Sequence, residues 1–71
     1  MPLINVKLIR NVFNEEQKSE IIRKLTDTMV GIEGEALRPV TWVVIEEVAE
    51  GEWGIGGNTL RARDVQAMRS A

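Results

Sequence analysis

The chain has 71 residues, 44% of them apolar, a formal net charge of −2, and neither cysteine nor histidine. These two absences exclude disulfides, thiolate metal sites and the side chain that most often acts as a general base near neutral pH. The sequence has no basic tract, so nucleic-acid binding is not expected. It has no apolar run near the roughly 20 residues that a membrane span needs. It also lacks a signal-peptide pattern, so we expect a cytoplasmic location.

The chain begins with an alternating segment, PLINVKLI, at residues 2–9. Ile4, Val6 and Leu8 fall on one side of it, and polar residues fall between them. This period of two predicts a half-buried strand. Pro2 is tolerated at the first position of a strand, because it need not donate a hydrogen bond to the ladder there.

A helix is predicted over residues 15–31. Asn14 is a favourable N-cap, and Gln17 three residues later completes a pattern like a capping box. Gly31 or Gly34 is expected to end the helix. Apolar residues recur at helical spacing through it, namely Ile21, Ile22, Leu25, Met29 and Ile32.

A second strand is predicted over residues 39–47, which are rich in the β-branched and aromatic side chains that strands prefer. Its nearly continuous apolar run is typical of a strand buried on both faces. The order strand, helix, strand implies a right-handed parallel βαβ unit. A glycine-rich hairpin at 51–58 and a short helix or tail at 62–71 complete a single domain over residues 1–71.

The predicted fold class is α/β, or α+β, with a sheet that the chain cannot complete alone. Two strands are fewer than an independently stable sheet requires, and one core in so short a chain rarely supplies more than about 3–5 kcal/mol. We therefore expect strands from two or more chains to join through self-association.

The sequence offers few groups for catalysis. Glu46 and Glu47 are adjacent, so on a strand they face opposite sides and do not form a carboxylate pair. The GIGG segment lacks the strand–turn–helix context of a dinucleotide site.

Pro2 is a better candidate for catalysis, because removal of Met1 would leave a secondary amine. An α-amino group has an unperturbed pKa of about 7.7–8.0 and, when neutral, can act as a general base or add to a carbonyl. The alternative is that Pro2 has no catalytic role and only begins the first strand.

Three motifs in register favour the catalytic interpretation of Pro2: Pro2 at the head of a strand, EEQK opening the helix, and GEWGIGG after the second strand. In this order they resemble the tautomerase superfamily, specifically the small 4-oxalocrotonate tautomerase-like group, over residues 2–60. The resemblance implies a βαβ subunit with a short C-terminal hairpin and a homohexamer built as a trimer of dimers. It further implies Pro2 as general base or acid in keto–enol proton transfer, no cofactor or metal, a small 2-oxo acid or enol as substrate, and sites between subunits.

The resemblance also implies which residues line the pocket. Trp53 stands in place of the family's aromatic residue, and Ile9 matches the apolar residue that ends the first strand. Trp42 occupies the place of one family arginine, and Val12 or Phe13 that of another. Arg10 lies close to the latter and could substitute for it. An indole offers one donor where a guanidinium offers five, so dicarboxylates are expected to be poor substrates and a phenylpyruvate-like keto acid a better one.

Two other functions remain open on the sequence. The same amine, when protonated, could serve hydration or dehalogenation of unsaturated acids, with Glu52 as the nearest carboxylate to activate water. Alternatively the chain is a non-catalytic partner subunit that lacks the carboxylate-binding arginines. Arg38, Arg61 and Arg63 could supply a missing cation from a neighbouring chain, although surface charge is the default for each.

Overall fold

A computed structural model of the chain describes residues 2–70. Its elements in chain order are β1 (Leu3–Ile9), α1 (Glu15–Glu33), β2 (Trp42–Val48), β3 (Trp53–Ile55), β4 (Asn58–Leu60) and α2 (Ala62–Ser70). A 3-10 helix, Glu35–Val40, joins α1 to β2. No helix among residues 2–70 has the length and apolar character needed to cross a membrane.

The strands form two separate pairs. β1 and β2 pair in parallel, from Leu3 opposite Trp42 to Ile9 opposite Val48, and α1 is the crossover between them. β3 and β4 form an antiparallel hairpin. The two residues at its turn, Gly56 and Gly57, have φ values of 58° and 85°, the positive range that a tight hairpin turn requires and that glycine adopts without strain.

The start of α1 follows the sequence pattern. The Asn14 side chain accepts from the Gln17 N–H at 2.8 Å, and the Gln17 side chain accepts from the Asn14 N–H at 3.0 Å. The helix ends at Glu33 rather than at residue 31, because Gly34 (φ 109°) provides the cap and its N–H donates to the Val30 carbonyl. Of the two glycines expected to end the helix, Gly34 does so and Gly31 stays inside it.

The prediction of a strand from residue 39 is wrong by three residues. Residues 39 and 40 belong to the 3-10 helix, and Thr41 caps it, with its N–H donating to the Arg38 carbonyl and its hydroxyl to the Leu37 carbonyl. These local bonds compete with the sheet, and strand pairing begins only at Trp42. Because the register then runs to Val48, β2 ends one residue later than predicted.

The core of the single chain is small. Among residues 2–70 the buried apolar side chains are Ile9, Val12 and Val30. Trp42 and Glu46 of β2 are exposed, so burial on both faces of this strand is not reached within one chain. The large apolar side chains left exposed are Leu3, Ile22, Ile32, Leu37, Trp42, Ile55 and Met68. This surface is consistent with the expected self-association.

Replacement of the N-cap tests how much of the stability depends on α1. Asn14→Ala removes the acceptor for the Gln17 N–H, and the free energy of unfolding should fall by about 1 kcal/mol. Thermal or urea unfolding followed by circular dichroism measures this. Ser19→Ala, an exposed substitution inside α1, is the control and should leave stability unchanged or slightly higher. Equal stability of the Asn14 variant and the wild type would contradict the expectation.

Candidate functional site

Pro2 lies at the head of the sheet, half-buried, directly before β1. Its carbonyl accepts a hydrogen bond from the Trp42 N–H at 3.0 Å, so the first residue of β2 holds the backbone of Pro2 in place. Leu3 and Trp42 are register partners and lie on the same face of the sheet. Both are more than half exposed, at 60% and 53%. The open face of the sheet next to Pro2 therefore carries two exposed apolar side chains.

The two faces of the sheet are distinguished by the glutamates of β2. Glu47 pairs with Lys18 of α1 at 2.9 Å, so it lies on the helix-covered face. Glu46 accepts from Lys7 at 3.2 Å and from the Asn5 amide on the opposite face. The two carboxylates thus form no acid–base pair, as the sequence predicted. Since side chains alternate along a strand, Trp42 shares the open face with Glu46.

The other residues predicted to line a pocket lie at or beyond the far end of β1. Ile9 ends the strand and is only 7% exposed, and the Arg10 N–H donates to the Val48 carbonyl at 2.8 Å. Phe13 is half-buried in the loop that follows. The half-buried Trp53 begins β3, shortly after β2 ends opposite Ile9. This end of the sheet therefore carries an apolar group of side chains together with Arg10.

A single chain does not bring these two groups together. Ile9 lies seven positions after Pro2, and an extended strand rises about 3.3 Å per residue, which places the two about 23 Å apart. Within residues 2–70 the structure has no enclosed cavity. The structure joins Pro2 with Trp42, and it places Ile9, Arg10, Phe13 and Trp53 away from them. Any site that uses both groups needs a second chain.

Glu50 joins the loops at this far end. Its carboxylate accepts from the Asn11 amide at 2.9 Å and from the Ala62 N–H, at the start of α2, at 2.7 Å. These hydrogen bonds, Asn11 first, hold the pKa of the Glu50 carboxyl below its ordinary value, with a smaller contribution from the charges of Arg61 and Arg63. Glu50 therefore fixes α2 against the loop between β1 and α1, and the sequence pattern did not reveal this role.

The arginines considered as substitute cations are differently placed. Arg38 donates to Glu35 at 2.7 Å and to Asp27 at 2.8 Å, and these hydrogen bonds raise the pKa of its guanidinium above its ordinary value. It stabilises the junction of α1 and the 3-10 helix, so it is not free for a substrate.

Within residues 2–70 no group of three acidic side chains lies close enough to hold a metal ion.

Comparison with known proteins gives consistent results. A family model described as tautomerase enzyme matches residues 2–63. "Probable tautomerase K2" from Dickeya dadantii is 37% identical over 68 residues, which cover 94% of this chain and 98% of the relative. A "Probable tautomerase" from Campylobacter jejuni is 32% identical over 69 residues, which cover 97% of this chain and 100% of the relative.

Solved structures share the same architecture. The crystal structure of apo unfused 4-OT has a TM-score of 0.75 at 32% identity and covers 90% of this chain and 98% of its own. The crystal structure of DmpI from Helicobacter pylori has a TM-score of 0.71 at 28% identity, with coverage of 93% and 97%. These likenesses confirm the predicted βαβ unit with a small C-terminal hairpin.

The attachment of α2 through Glu50 should weaken in acid. A carboxyl whose pKa is lowered on folding adds stability that is complete above its ordinary value of 4.5 and is lost as the pH falls through the lowered pKa. Protection factors of the α2 amides, measured by hydrogen exchange across this range, should therefore fall in the wild type. Glu50→Gln should start lower and lack this step, whereas Glu52→Gln, a change at an exposed neighbour, should behave like the wild type. A step of equal size in all three proteins would contradict the role given to Glu50.

Proposed function

The chain belongs to the tautomerase family, and we propose that it catalyses keto–enol proton transfer on a small 2-oxo acid or enol, with Pro2 as general base and acid. One observation carries the assignment to Pro2. The family match begins at this residue, and the structure holds it half-buried at the tip of the sheet by the hydrogen bond from Trp42. A cytoplasmic location and the absence of any cofactor, both expected from the sequence, are part of the proposal.

The proposed chemistry needs only the amine of Pro2 and a bound substrate. Once Met1 is removed, the Pro2 nitrogen is a secondary amine, and α-amino groups titrate at about 7.7–8.0 when unperturbed. The neutral amine takes the hydroxyl proton of the enol, and the protonated amine then delivers a proton to the α-carbon, which yields the ketone. General acid–base catalysis of this kind typically accelerates a reaction by roughly 10²–10⁴-fold.

We propose that each site is formed between two chains. Pro2 and Trp42 of one chain would meet the far end of another, where Ile9, Phe13 and Trp53 lie. The separation of about 23 Å between Pro2 and Ile9 supports this arrangement, because seven residues of extended strand cannot bring their own ends together. The exposed Leu3 and Trp42 provide apolar surface for the contact. A homohexamer built as a trimer of dimers is the assembly we propose.

The side chains favour an aromatic keto acid over a dicarboxylate. The backbone of Trp42 is bonded to Pro2 and its side chain is about half exposed, whereas Trp53 begins the hairpin that follows the other end of β2. Two indole faces provide large apolar surfaces against which an aromatic ring can pack, with preferred stacked or edge-to-face geometry. We therefore propose phenylpyruvate and its enol as the substrate class, with a single carboxylate to be held by a cation.

Replacement of the secondary amine of Pro2 should remove most of the activity. Pro2→Ala is expected to slow the ketonisation of phenylenolpyruvate by roughly 10²-fold, because alanine leaves a primary amine that lacks the ring holding the nitrogen in position. Pro39→Ala, at the other proline of the chain, is the matched control and should retain the wild-type rate. Intact mass should show that Met1 is absent from the active protein. Equal rates for the Pro2 variant and the wild type, or full activity with Met1 retained, would refute the assignment.

Mixed oligomers test whether two chains share a site. Pro2→Ala and Trp53→Ala damage opposite ends of the sheet, so each variant alone should be nearly inactive. When the two are coexpressed and assort randomly, about a quarter of the sites combine an intact Pro2 with an intact Trp53 from another chain, and a matching fraction of activity should return. Circular dichroism of the Trp53 variant checks that its hairpin still folds. If each site were formed within one chain, the mixture would stay as inactive as its components.

A further inference from the structure

The C-terminal helix α2 folds back over the end of β1. Its Gln66 amide donates to the Val12 carbonyl at 3.0 Å, and the Ala62 N–H is held by Glu50 at 2.7 Å. These contacts attach the helix to the loop that follows β1 and to the loop that follows β2. The side chains on this side of α2 are therefore brought to the end of the sheet where Ile9 and Phe13 lie.

Arg69 lies on this side of the helix. Its guanidinium carbon is 5.1 Å from the centroid of the Phe13 ring, within the range of a cation–π contact. One of its terminal nitrogens also donates to the Val12 carbonyl at 3.4 Å. Two contacts therefore orient a side chain that is exposed overall. No sequence pattern indicated a role for Arg69, because its contact with Val12 joins residues 57 apart in the chain.

No ion pair neutralises Arg69 within the part of the chain that the structure describes, residues 2–70. Among residues 2–70 the ion pairs are Lys7–Glu46, Lys18–Glu47, Lys24–Glu20, Arg38–Asp27 and Arg38–Glu35. Arg69 takes part in none of these. Arg61 lies elsewhere than Arg69, because its guanidinium packs against Gly51. Arg69 is thus an oriented cation on an aromatic ring, with the rest of its donor fork available to an anion.

We propose that Arg69 is a substrate-binding residue that holds the carboxylate of the 2-oxo acid at the Phe13 end of the site. This inference rests on the proposed function, because it needs the Pro2 of another chain to approach this end. A guanidinium can bind a carboxylate through two parallel hydrogen bonds, which fixes direction as well as charge. The substrate would then lie with its carboxylate at α2 and its reacting carbons toward Pro2 of the adjoining chain.

Charge removal at Arg69 tests the proposal with a readout that does not need turnover. Binding of phenylpyruvate is followed by quenching of the fluorescence of Trp42 and Trp53, and KM and kcat are measured with phenylenolpyruvate. Arg69→Gln should raise both Kd and KM by about 10-fold or more, the range expected for a charged hydrogen bond, with a smaller change in kcat. Arg69→Lys should restore most of the binding, and added salt should weaken binding more in the wild type than in Arg69→Gln.

Two control variants separate this role from others. Arg63→Gln removes the same charge from the same helix and should leave Kd within about twofold, since a surface charge contributes little. Arg10→Gln removes another arginine at this end and should raise Kd less than Arg69→Gln does. An unchanged Kd in Arg69→Gln, an equal loss in Arg69→Lys, a greater loss in Arg10→Gln or no binding by the wild type would overturn the proposal.

The two proposals fail in different ways. If Pro2→Ala loses activity but Arg69→Gln binds phenylpyruvate as the wild type does, the tautomerase assignment stands and the role of Arg69 is wrong. If the wild type binds phenylpyruvate through Arg69 but does not ketonise its enol, the carboxylate site stands and the proposed reaction is wrong.

Discussion

The parallel pairing of β1 with β2 is the constraint on which the rest of this small structure depends. It places Leu3 opposite Trp42 and Ile9 opposite Val48, and the Trp42 N–H extends it by one bond to the Pro2 carbonyl. The same ladder that positions Pro2 also holds it a full strand length from Ile9. A rigid two-stranded sheet therefore sets both the position of the amine and its distance from the other apolar side chains.

This geometry connects stability with function. The sheet has two strands, the buried apolar side chains of residues 2–70 are few, and Trp42 is about half exposed beside Pro2. The hydrophobic effect favours covering such surface, and a second chain that covers it would also complete the proposed site. In this view the surface that drives association and the surface that binds substrate are partly the same, so loss of association would also cost activity.

The far end of the sheet is organised by longer-range contacts. Glu50 bridges the loop after β1 and the start of α2, and Gln66 and Arg69 both reach the Val12 carbonyl. Val12 itself is only 6% exposed, so this carbonyl belongs to a well-packed loop. Hydrogen bonds from Asn11 and Ala62 stabilise the charged carboxylate of the half-buried Glu50, while its burial acts in the opposite direction, so the attachment of α2 depends on the charged form of this side chain.

The sequence by itself determined the elements whose signals are local. The capping pattern at Asn14 and Gln17 located the start of α1, alternation located β1, and the glycine-rich run at 51–58 indicated a hairpin, which the structure places two residues later, from Trp53 to Leu60. The motifs around Pro2 and Trp53 identified the family in the same way. Between residues 39 and 41 the sequence fits both a strand and a local turn, so it did not predict where β2 starts. Hydrogen bonds of the 3-10 helix take up these residues, and β2 begins at Trp42.

Only the tertiary structure decided how the candidate residues are distributed. It placed Pro2 with Trp42, put Ile9 and Phe13 at the other end of the strand, and brought Arg69 of α2 onto the Phe13 ring. No spacing rule predicts a contact across 57 residues, because it depends on where the hairpin and the loop at Glu50 direct the chain. The physical reason is that local sequence specifies the conformation of each segment, whereas packing between distant segments specifies which side chains meet.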